Sequence, residues 1–150
     1  MRSRHVSQVV ARPPDEVYEF VVRPENLPRW AAGLASSELT RDGDRFVAES
    51  PMGRVTVRFA PPNDFGVLDH DVTLPSGATV NNPLRVLPHP DGAELVFTLR
   101  QSDMTDDEFD RDTRMIEADL DRLRQLLEVE GSSAAGGLGE GSDRAVVRGR

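Results

Sequence analysis

Residues 13–30 read PPDEVYEFVVRPENLPRW and contain the signals that decide the fold. The two leading prolines fix the backbone for a helix, and the two acids that follow lie near its positive end. Apolar residues then recur at helical spacing. Pro24 starts and Pro28 interrupts the next piece, so we expect two short helical turns that end at Trp30, the only tryptophan of the chain.

Strands are predicted on both sides of this stretch. The segment from Ser3 to Ala11 is typical of a first strand, and from Leu34 to Ser102 apolar and polar residues alternate with period two. Five turn signals divide the second region, at Asp42-Gly43-Asp44, Pro51-Met52-Gly53, Pro61-Pro62-Asn63-Asp64, Pro75-Ser76-Gly77 and Pro90-Asp91-Gly92. The sequence therefore predicts six more strands, and seven antiparallel strands need a cover for their apolar face.

The last helix supplies that cover. Thr105-Asp106-Asp107-Glu108 is a capping box, in which the side chains of Thr105 and Glu108 each bind the backbone N–H of the other residue. An apolar stripe follows, formed by Phe109, Ile116, Leu120, Leu123 and Leu127. We expect this helix to end near Glu130. Residues 131–150 are rich in Gly, Ser and Ala without apolar periodicity, which predicts a disordered tail behind a single domain over residues 1–130.

Composition excludes several classes of function. The 150 residues contain no cysteine and no lysine, because all 18 basic residues are arginine, so thiolate and Schiff-base chemistry are excluded. A formal net charge of -8 argues against nucleic acid or an anionic membrane surface as partner. No apolar run reaches the length of a membrane span, and the first residues resemble a strand rather than a signal peptide. We therefore expect a cytoplasmic protein, and its oligomeric state stays open.

Strand alternation predicts which side chains face the helix. Leu68, Val72 and Leu74 share one face, which brings His70 inward and turns Asp69 and Asp71 outward. Applied to the other strands, the same test places a further set inside: Phe46, Ala48, Val55, Val57, Phe59, Val80, Asn82, Leu84, Val86, Leu95, Phe97, Leu99 and Gln101. An apolar lining with a few neutral polar groups is typical of a pocket for a small molecule.

His70 is the best candidate for chemistry, and two interpretations remain open. It is either a buried histidine with one hydrogen-bond partner, or a residue that contacts a ligand or transfers a proton. Asp69 and Asp71 point to the opposite face, so they cannot share a metal ion with it, and we predict no metal site. The sequence has no nucleophile elbow, phosphate loop or dinucleotide fingerprint, and therefore predicts no cofactor.

Two more residues allow two interpretations each. Asn82 either orients a ligand or bonds the backbone, and the sequence Asn81-Asn82-Pro83 indicates a local distortion of its strand. Trp30 either fills the core at the helical corner or forms the rim of the cavity.

The order of elements over about Arg2 to Glu130, and the motif of residues 17–30 above all, resemble the SRPBCC superfamily and its small bacterial members grouped with polyketide cyclases and dehydratases. The resemblance implies an α+β helix-grip fold, in which a curved seven-stranded antiparallel sheet wraps around a long C-terminal helix, with two short helices between strands 1 and 2. START lipid-transfer domains also belong to this superfamily, and it has no universal catalytic motif.

Three functions are compatible with this resemblance. The first is binding of a small hydrophobic or amphipathic molecule, such as a lipid, in a cavity between sheet and helix. The second is a cyclase or dehydratase that uses His70 as acid–base group, and whether the protein is an enzyme stays open. The third is a protein-interaction module that uses the outer sheet face or the tail. The residues expected to contact a ligand are Trp30, Val55, Val57, Phe59, Leu68, His70, Asn82, Leu84, Phe97, Leu99, Met115 and Ile116.

Overall fold

The computed structural model describes residues 1–31 and 39–137. In these residues the strands are β1 at Ser3–Val10, β2 at Thr40–Asp42, β3 at Arg45–Ser50, β4 at Gly53–Phe59, β5 at His70–Thr73, β6 at Thr79–Asn82, β7 at Leu84–His89 and β8 at Gly92–Arg100. The helices are α1 at Pro14–Val21, α2 at Leu27–Trp30 and α3 at Asp106–Gly137, and a 3-10 turn covers Pro24–Asn26.

The helical corner has the structure that its sequence predicts. Pro14 opens α1, where a missing N–H costs nothing, and the helix buries Val17 and Val21 against the sheet. A 3-10 turn begins at Pro24, and α2 follows it directly and ends at Trp30. Pro28 lies in the first turn of α2, where proline is tolerated, rather than breaking a helix.

Within the described residues the strands are antiparallel, as predicted, but they number eight and form two sheets instead of one sheet of seven. One sheet has the order β1-β8-β7 and the other the order β2-β3-β4-β5-β6. The additional strand arises at Pro83, which separates β6 from β7. Proline has no N–H to give to the ladder, so the predicted strand between Gly77 and Pro90 divides there, and its two halves join different sheets.

The two sheets are connected beside this break. The segment before β5 runs antiparallel to β7, with Leu68 N–H donating to the Leu84 carbonyl (2.8 Å) and Val86 N–H donating to the Gly66 carbonyl (2.9 Å). Gly66 is required at this close approach, because its φ is +72° and a Cβ atom would lie 2.2 Å from the Val86 carbonyl oxygen.

The last helix begins with the predicted capping box. Thr105 N–H donates to Glu108 Oε1 (2.9 Å) and Glu108 N–H donates to Thr105 Oγ1 (3.2 Å). The helix continues through Gly137, past its predicted end near Glu130. Helix propagation adds one hydrogen bond per residue and alanine favours it, so the Ser/Ala segment extends the helix once it has started. The predicted tail beyond Gly137 lies outside the described residues.

One hydrophobic core lies between the sheets and the helices. The predicted stripe of α3 contributes Phe109, Leu120, Leu123 and Leu127, which are buried, and Ile116, which is half-buried. α3 packs mainly on β1 and α2. The described fold is therefore α+β, with a curved antiparallel sheet and a long C-terminal helix, as the sequence predicts.

Candidate functional site

His70 begins β5 and faces the interior, where its side chain is 4% exposed. Its Nδ1 lies 3.0 Å from the Leu68 carbonyl oxygen. Because a carbonyl oxygen can only accept, Nδ1 carries the proton and Nε2 of the neutral ring keeps its lone pair. Burial lowers the pKa of His70, although the Leu68 carbonyl and the nearby carboxylates of Asp69 and Asp71 act in the opposite direction. The imidazole is therefore neutral at neutral pH.

Aromatic rings surround this imidazole. The ring of Phe59 lies 5.2 Å from it, centroid to centroid, and the ring of Phe97 lies 6.1 Å away in an edge arrangement. In the described part of the chain, Nε2 has no hydrogen-bond partner. The site thus presents one hydrogen-bond acceptor between two apolar ring surfaces.

The strand register places Phe59, His70 and Asn82 in one row across β4, β5 and β6. Residues that are directly opposite in antiparallel strands point to the same face, so Asn82 lies on the inner face beside His70. Asn82 is half-buried. The predicted inward orientation of these two polar residues agrees with this register.

The neighbouring row shows where the interior becomes accessible. It consists of Val57, Val72 and Val80, whose exposed fractions are 0%, 4% and 46%. The prediction that Val80 is enclosed is therefore wrong, although its face is the expected one. β6 is the edge strand of its sheet, so no further strand covers Val80 from that side.

The other residues that are predicted to contact a ligand differ in how far they are buried. Leu84 and Phe97 are register partners on β7 and β8. Met115, which is predicted to line the cavity, is 41% exposed on α3. Its position is next to the half-buried Ile116, at the margin of the apolar stripe. Buried in the core are Trp30, Val55, Val57, Leu68, Leu84, Phe97 and Leu99, while Phe59 is half-buried.

Trp30 is buried at the end of α2, as a core residue would be. Its carbonyl accepts a hydrogen bond from Arg122 Nη1 (2.9 Å), which ties α2 to α3. Its indole Nε1 is buried and has no partner among the residues that the structure describes. A buried N–H without a partner costs about 1–3 kcal/mol, so Nε1 is a second polar group available to a bound molecule or a water.

Asp69 and Asp71, on either side of His70, point outward and accept hydrogen bonds from the neighbouring strands. Asp69 accepts two hydrogen bonds from the Arg85 guanidinium (2.8 and 2.7 Å) and one from Leu84 N–H (2.9 Å). The Arg85 hydrogen bonds lower the pKa of Asp69. Asp71 accepts from Asn81 Nδ2 (2.8 Å). No group of three potential metal ligands occurs among the described residues.

Sequence reasoning missed one buried carboxylate. Asp119 is buried on α3, and its Oδ1 accepts a hydrogen bond from Arg122 Nη1 (3.1 Å). It lies three residues after Ile116 and four before Leu123, so helical spacing alone could have placed it on the inner side of α3. Two turns earlier, partial burial raises the pKa of Asp112.

Three grooves occur among the described residues, and His70 lines none of the three. Their volumes are about 440, 520 and 740 Å³. The largest of the three is lined by apolar side chains such as Val22, Leu39 and Phe46, with Arg23 and Arg41 beside them. None of these grooves contains a residue that the sequence predicts as a ligand contact.

Comparison with known proteins identifies the family of this chain. The family described as polyketide cyclase / dehydrase and lipid transport matches residues 1–128. The chain belongs to this family, within the SRPBCC superfamily. No curated protein matches the chain in sequence.

Solved structures share the helix-grip fold at low sequence identity. Protein MLL2253 from Mesorhizobium loti is 16% identical, with a TM-score of 0.64 over 85% of this chain and 97% of that one. The Aha1 dimer from Colwellia psychrerythraea is 12% identical, with a TM-score of 0.70 over 86% and 98%. DynU16, from the dynemicin biosynthetic locus, is 16% identical, with a TM-score of 0.66 over 84% and 47%.

At these identities the likeness to solved structures establishes the fold only. The described helices include none that is both long and apolar enough to cross a membrane.

Proposed function

We propose that this protein binds a small hydrophobic or amphipathic molecule between its sheet and α3, and that His70 orients it. One observation carries the proposal: a buried, neutral imidazole holds an unpaired acceptor between the rings of Phe59 and Phe97. A hydrogen bond formed in such apolar surroundings is electrostatically stronger than one formed in water. A ligand that donates a hydrogen bond to Nε2 gains this interaction.

The chemistry of the site restricts the ligand. A hydroxyl, phenol or N–H group can donate to Nε2, and Asn82, beside His70 on the inner face, can either donate or accept. A carboxylate or phosphate is disfavoured, because the neutral imidazole provides no charge to offset the loss of its hydration. The body of the ligand is apolar, since aromatic and aliphatic side chains surround the polar pair.

We place the entrance on the side of β6, where the inner face becomes exposed at Val80. Exposed apolar residues at an entrance can contact a ligand while it enters, and Met115 fits this role better than that of an enclosed contact. The buried predicted contacts, such as Val57 and Leu84, then form the floor of the site. The family description, which includes lipid transport, supports this proposal.

The test begins with native mass spectrometry of the freshly purified full chain, beside solvent extraction of the same sample. We expect one defined small-molecule adduct with an apolar body and at least one hydroxyl or N–H group. The variant His70→Leu removes the acceptor, whereas His89→Leu changes a histidine at the end of β7 and is the matched control. We expect His70→Leu to lose most of the adduct and His89→Leu to retain it.

If no adduct is found, titration with Nile red, a neutral apolar fluorophore, measures the same site. Phe97→Trp enlarges a ring that contacts His70, so it should weaken dye binding without unfolding the protein. Equal adduct occupancy and dye affinity in wild type, His70→Leu and Phe97→Trp would contradict the proposed site.

A second candidate function is acid–base catalysis by His70. The observation that favours it is the lowered pKa, which keeps Nε2 in its basic form at neutral pH. The family description also includes cyclase and dehydrase activity. If the extracted molecule is a substrate or product, His70→Ala should still bind it and should lose turnover. Full turnover by His70→Ala would remove His70 from the mechanism.

We further propose that residues 1–130 suffice for ligand binding and that residues 131–150 take no part in it. The predicted contacts all precede Glu130, and the family model ends at residue 128. A chain shortened to residues 1–130 should bind Nile red with the affinity of the full chain. A clear loss of affinity in a shortened chain that remains folded would assign the tail a role.

A further inference from the structure

The largest of the three grooves lies between the helical corner and the β2 edge of the five-stranded sheet. Its volume is about 740 Å³, within the range of about 300–1,000 Å³ that is usual for small-molecule sites. One wall is formed by residues 22–28 of the helical corner, and the other by residues 39–46 with β2 and the start of β3. We call it the corner groove.

The sheet wall of the corner groove belongs to the inner face of the sheet. Phe46 is the register partner of Val57, which is fully buried, and Arg41 is the register partner of Phe46. Directly opposite residues of antiparallel strands point to the same face, so Arg41 and Phe46 both point inward. The same row ends at Val80 on β6, so the corner groove lies at the other edge of this sheet.

The apolar part of the corner groove is half-open to solvent. Val22 and Leu39 are half-buried and pack against the core. Phe46 is also half-buried, but it is not among the described residues that pack on the core. Its ring therefore faces the groove, where an apolar molecule can cover it.

The guanidinium of Arg41 is held over the ring of Phe46. Its Cζ atom lies 5.0 Å from the ring centroid in a cation–π contact, and Nη1 donates to the Gly43 carbonyl (3.4 Å). The acid of the β2–β3 turn, Asp44, lies near Arg45 and Arg58 instead, 3.8 Å from each. A guanidinium has five N–H donors, so most donors of Arg41 remain for a ligand.

The helix wall adds a second arginine and one acid. Arg23 and Glu25 are both exposed, and Arg23 forms no ion pair with a described residue. Arg23 also borders the smallest of the three grooves, which contains acids such as Glu19. With Arg41, the formal charge of the corner groove is positive by one unit on a chain of net charge -8. This charge is balanced by a singly charged anion.

The helix wall is also rigid. Pro24 and Pro28 restrict its backbone. Behind them, the buried Asn26 donates from Nδ2 to the Phe20 carbonyl (2.9 Å) and accepts at Oδ1 from Arg29 Nη1 (3.2 Å). A groove with a fixed wall loses little conformational entropy when a ligand binds.

An inward charge at a sheet edge has a second known use. β2 is an edge strand, and an inward-pointing charge on such a strand discourages pairing with another chain. One charge suffices for that purpose. It does not explain why a second arginine lies on the facing wall, or why an open aromatic ring lies under the first.

We propose that the corner groove binds a single-chain amphipathic carboxylate. Its carboxylate accepts hydrogen bonds from Arg41 and Arg23, because the fork of a guanidinium matches a carboxylate in shape and charge. Its apolar chain lies on Val22, Leu39 and Phe46. The ligand is a free molecule rather than a lipid in a membrane, since the net charge of the chain opposes an anionic surface. This site and its charged ligand are separate from the His70 site and its uncharged ligand.

An NMR titration of the full chain with octanoate tests the proposal, with octan-1-ol as the uncharged analogue of the same length. We expect octanoate to shift the amide signals of the two walls, residues 22–28 and 39–46, and to bind about tenfold more tightly than octan-1-ol. Arg41→Gln should weaken octanoate binding about tenfold and leave octan-1-ol binding unchanged, because only the carboxylate uses the guanidinium. Arg23→Gln should act in the same direction.

Two variants are controls. Arg100→Gln removes another exposed arginine that has no ion pair among the described residues, and it should bind octanoate like wild type. His70→Leu should also bind octanoate like wild type, and Arg41→Gln should keep the wild-type affinity for Nile red. The two sites can therefore fail independently of each other.

Four results would overturn the proposal. Octanoate could shift no signals of the two walls, its shifts could centre on His70, or wild type and Arg41→Gln could bind it equally well. Binding to phosphatidylglycerol vesicles without binding to octanoate would assign the corner groove to a lipid surface and overturn the proposal as well.

Discussion

Lowering the pH should destabilise the wild-type protein more steeply than the variant His70→Gln. His70 is buried, and burial lowers its pKa below the ordinary value of 6.5. The unfolded chain has no such burial, so its histidine gains a proton first as the pH falls. Folding then competes with protonation, and the free energy of unfolding decreases with decreasing pH.

The size of this destabilisation follows from one additional proton that the unfolded chain binds. Between 6.5 and the lower pKa of the folded state, the unfolded chain binds up to one proton more than the folded chain at this position. Linkage gives a limiting slope of about 1.4 kcal/mol per pH unit. The stability contributed by the neutral ring is fully present above pH 6.5 and is lost as the pH falls below it. For an m-value of about 2 kcal/mol/M, one pH unit shifts the urea midpoint by about 0.7 M.

Urea unfolding of both proteins between about pH 5.5 and about pH 8, followed by circular dichroism, measures this difference. His5 and His89 are present in both proteins, so their titration cancels when the two curves are subtracted. The difference should be flat above pH 7 and should fall toward lower pH. Parallel curves over the whole range would refute the argument, because they would mean that His70 keeps its ordinary pKa in the folded protein.

Three further predictions concern stability, each measured by urea unfolding at neutral pH. Gly66→Ala should lower the free energy of unfolding by more than about 2 kcal/mol, because strain at positive φ and a clash with a backbone carbonyl add together. Gly43→Ala is the control, since Gly43 has a φ of +68° and nothing within 4 Å, and this variant should lose only the free energy of the strain. Equal losses in the two variants would contradict the clash at Gly66. Leu120→Ala should lower the free energy of unfolding by about 3 kcal/mol, because it leaves a cavity at a fully buried position of α3. Val129→Ala changes an exposed residue of the same helix and should alter the free energy of unfolding by less than about 0.5 kcal/mol. Thr105→Ala should cost about 1 kcal/mol by removing the helix cap, and an unchanged midpoint would show that the capping box adds nothing.

Most secondary structure could be predicted from the sequence, because its signals act over a few residues. The capping box at Thr105 and the proline that opens α1 are local in this sense. The division at Pro83 was harder to predict. Val80, Leu84 and Val86 share one parity across Pro83, so periodicity alone indicates one strand, and only the missing N–H of the proline reveals the break.

The sequence predicted which way the side chains of the candidate site point, but it did not predict how exposed they are. Alternation brought His70 inward and turned Asp69 outward, because neighbouring strand residues point to opposite faces. Which strand lies at the sheet edge depends on the pairing of the whole chain, so the exposure of Val80 could not be derived locally. The burial of Asp119 depends likewise on packing that only the assembled fold provides, although helical spacing could have suggested its side of α3.

The pairing of β1 with β8 has a consequence for the order of folding. Ser3 lies opposite Arg100 and Val10 opposite Ala93, so this ladder joins the two ends of the strand region, whereas β2 to β6 pair only with their neighbours in sequence. Closing the long loop costs more chain entropy than forming hairpins. During synthesis β1 leaves the ribosome before the other strands, but it cannot pair until β8 has been synthesised as well. We expect pulsed hydrogen exchange to protect the amides of β3 and β4 before those of β1; simultaneous protection would show that the two sheets form together.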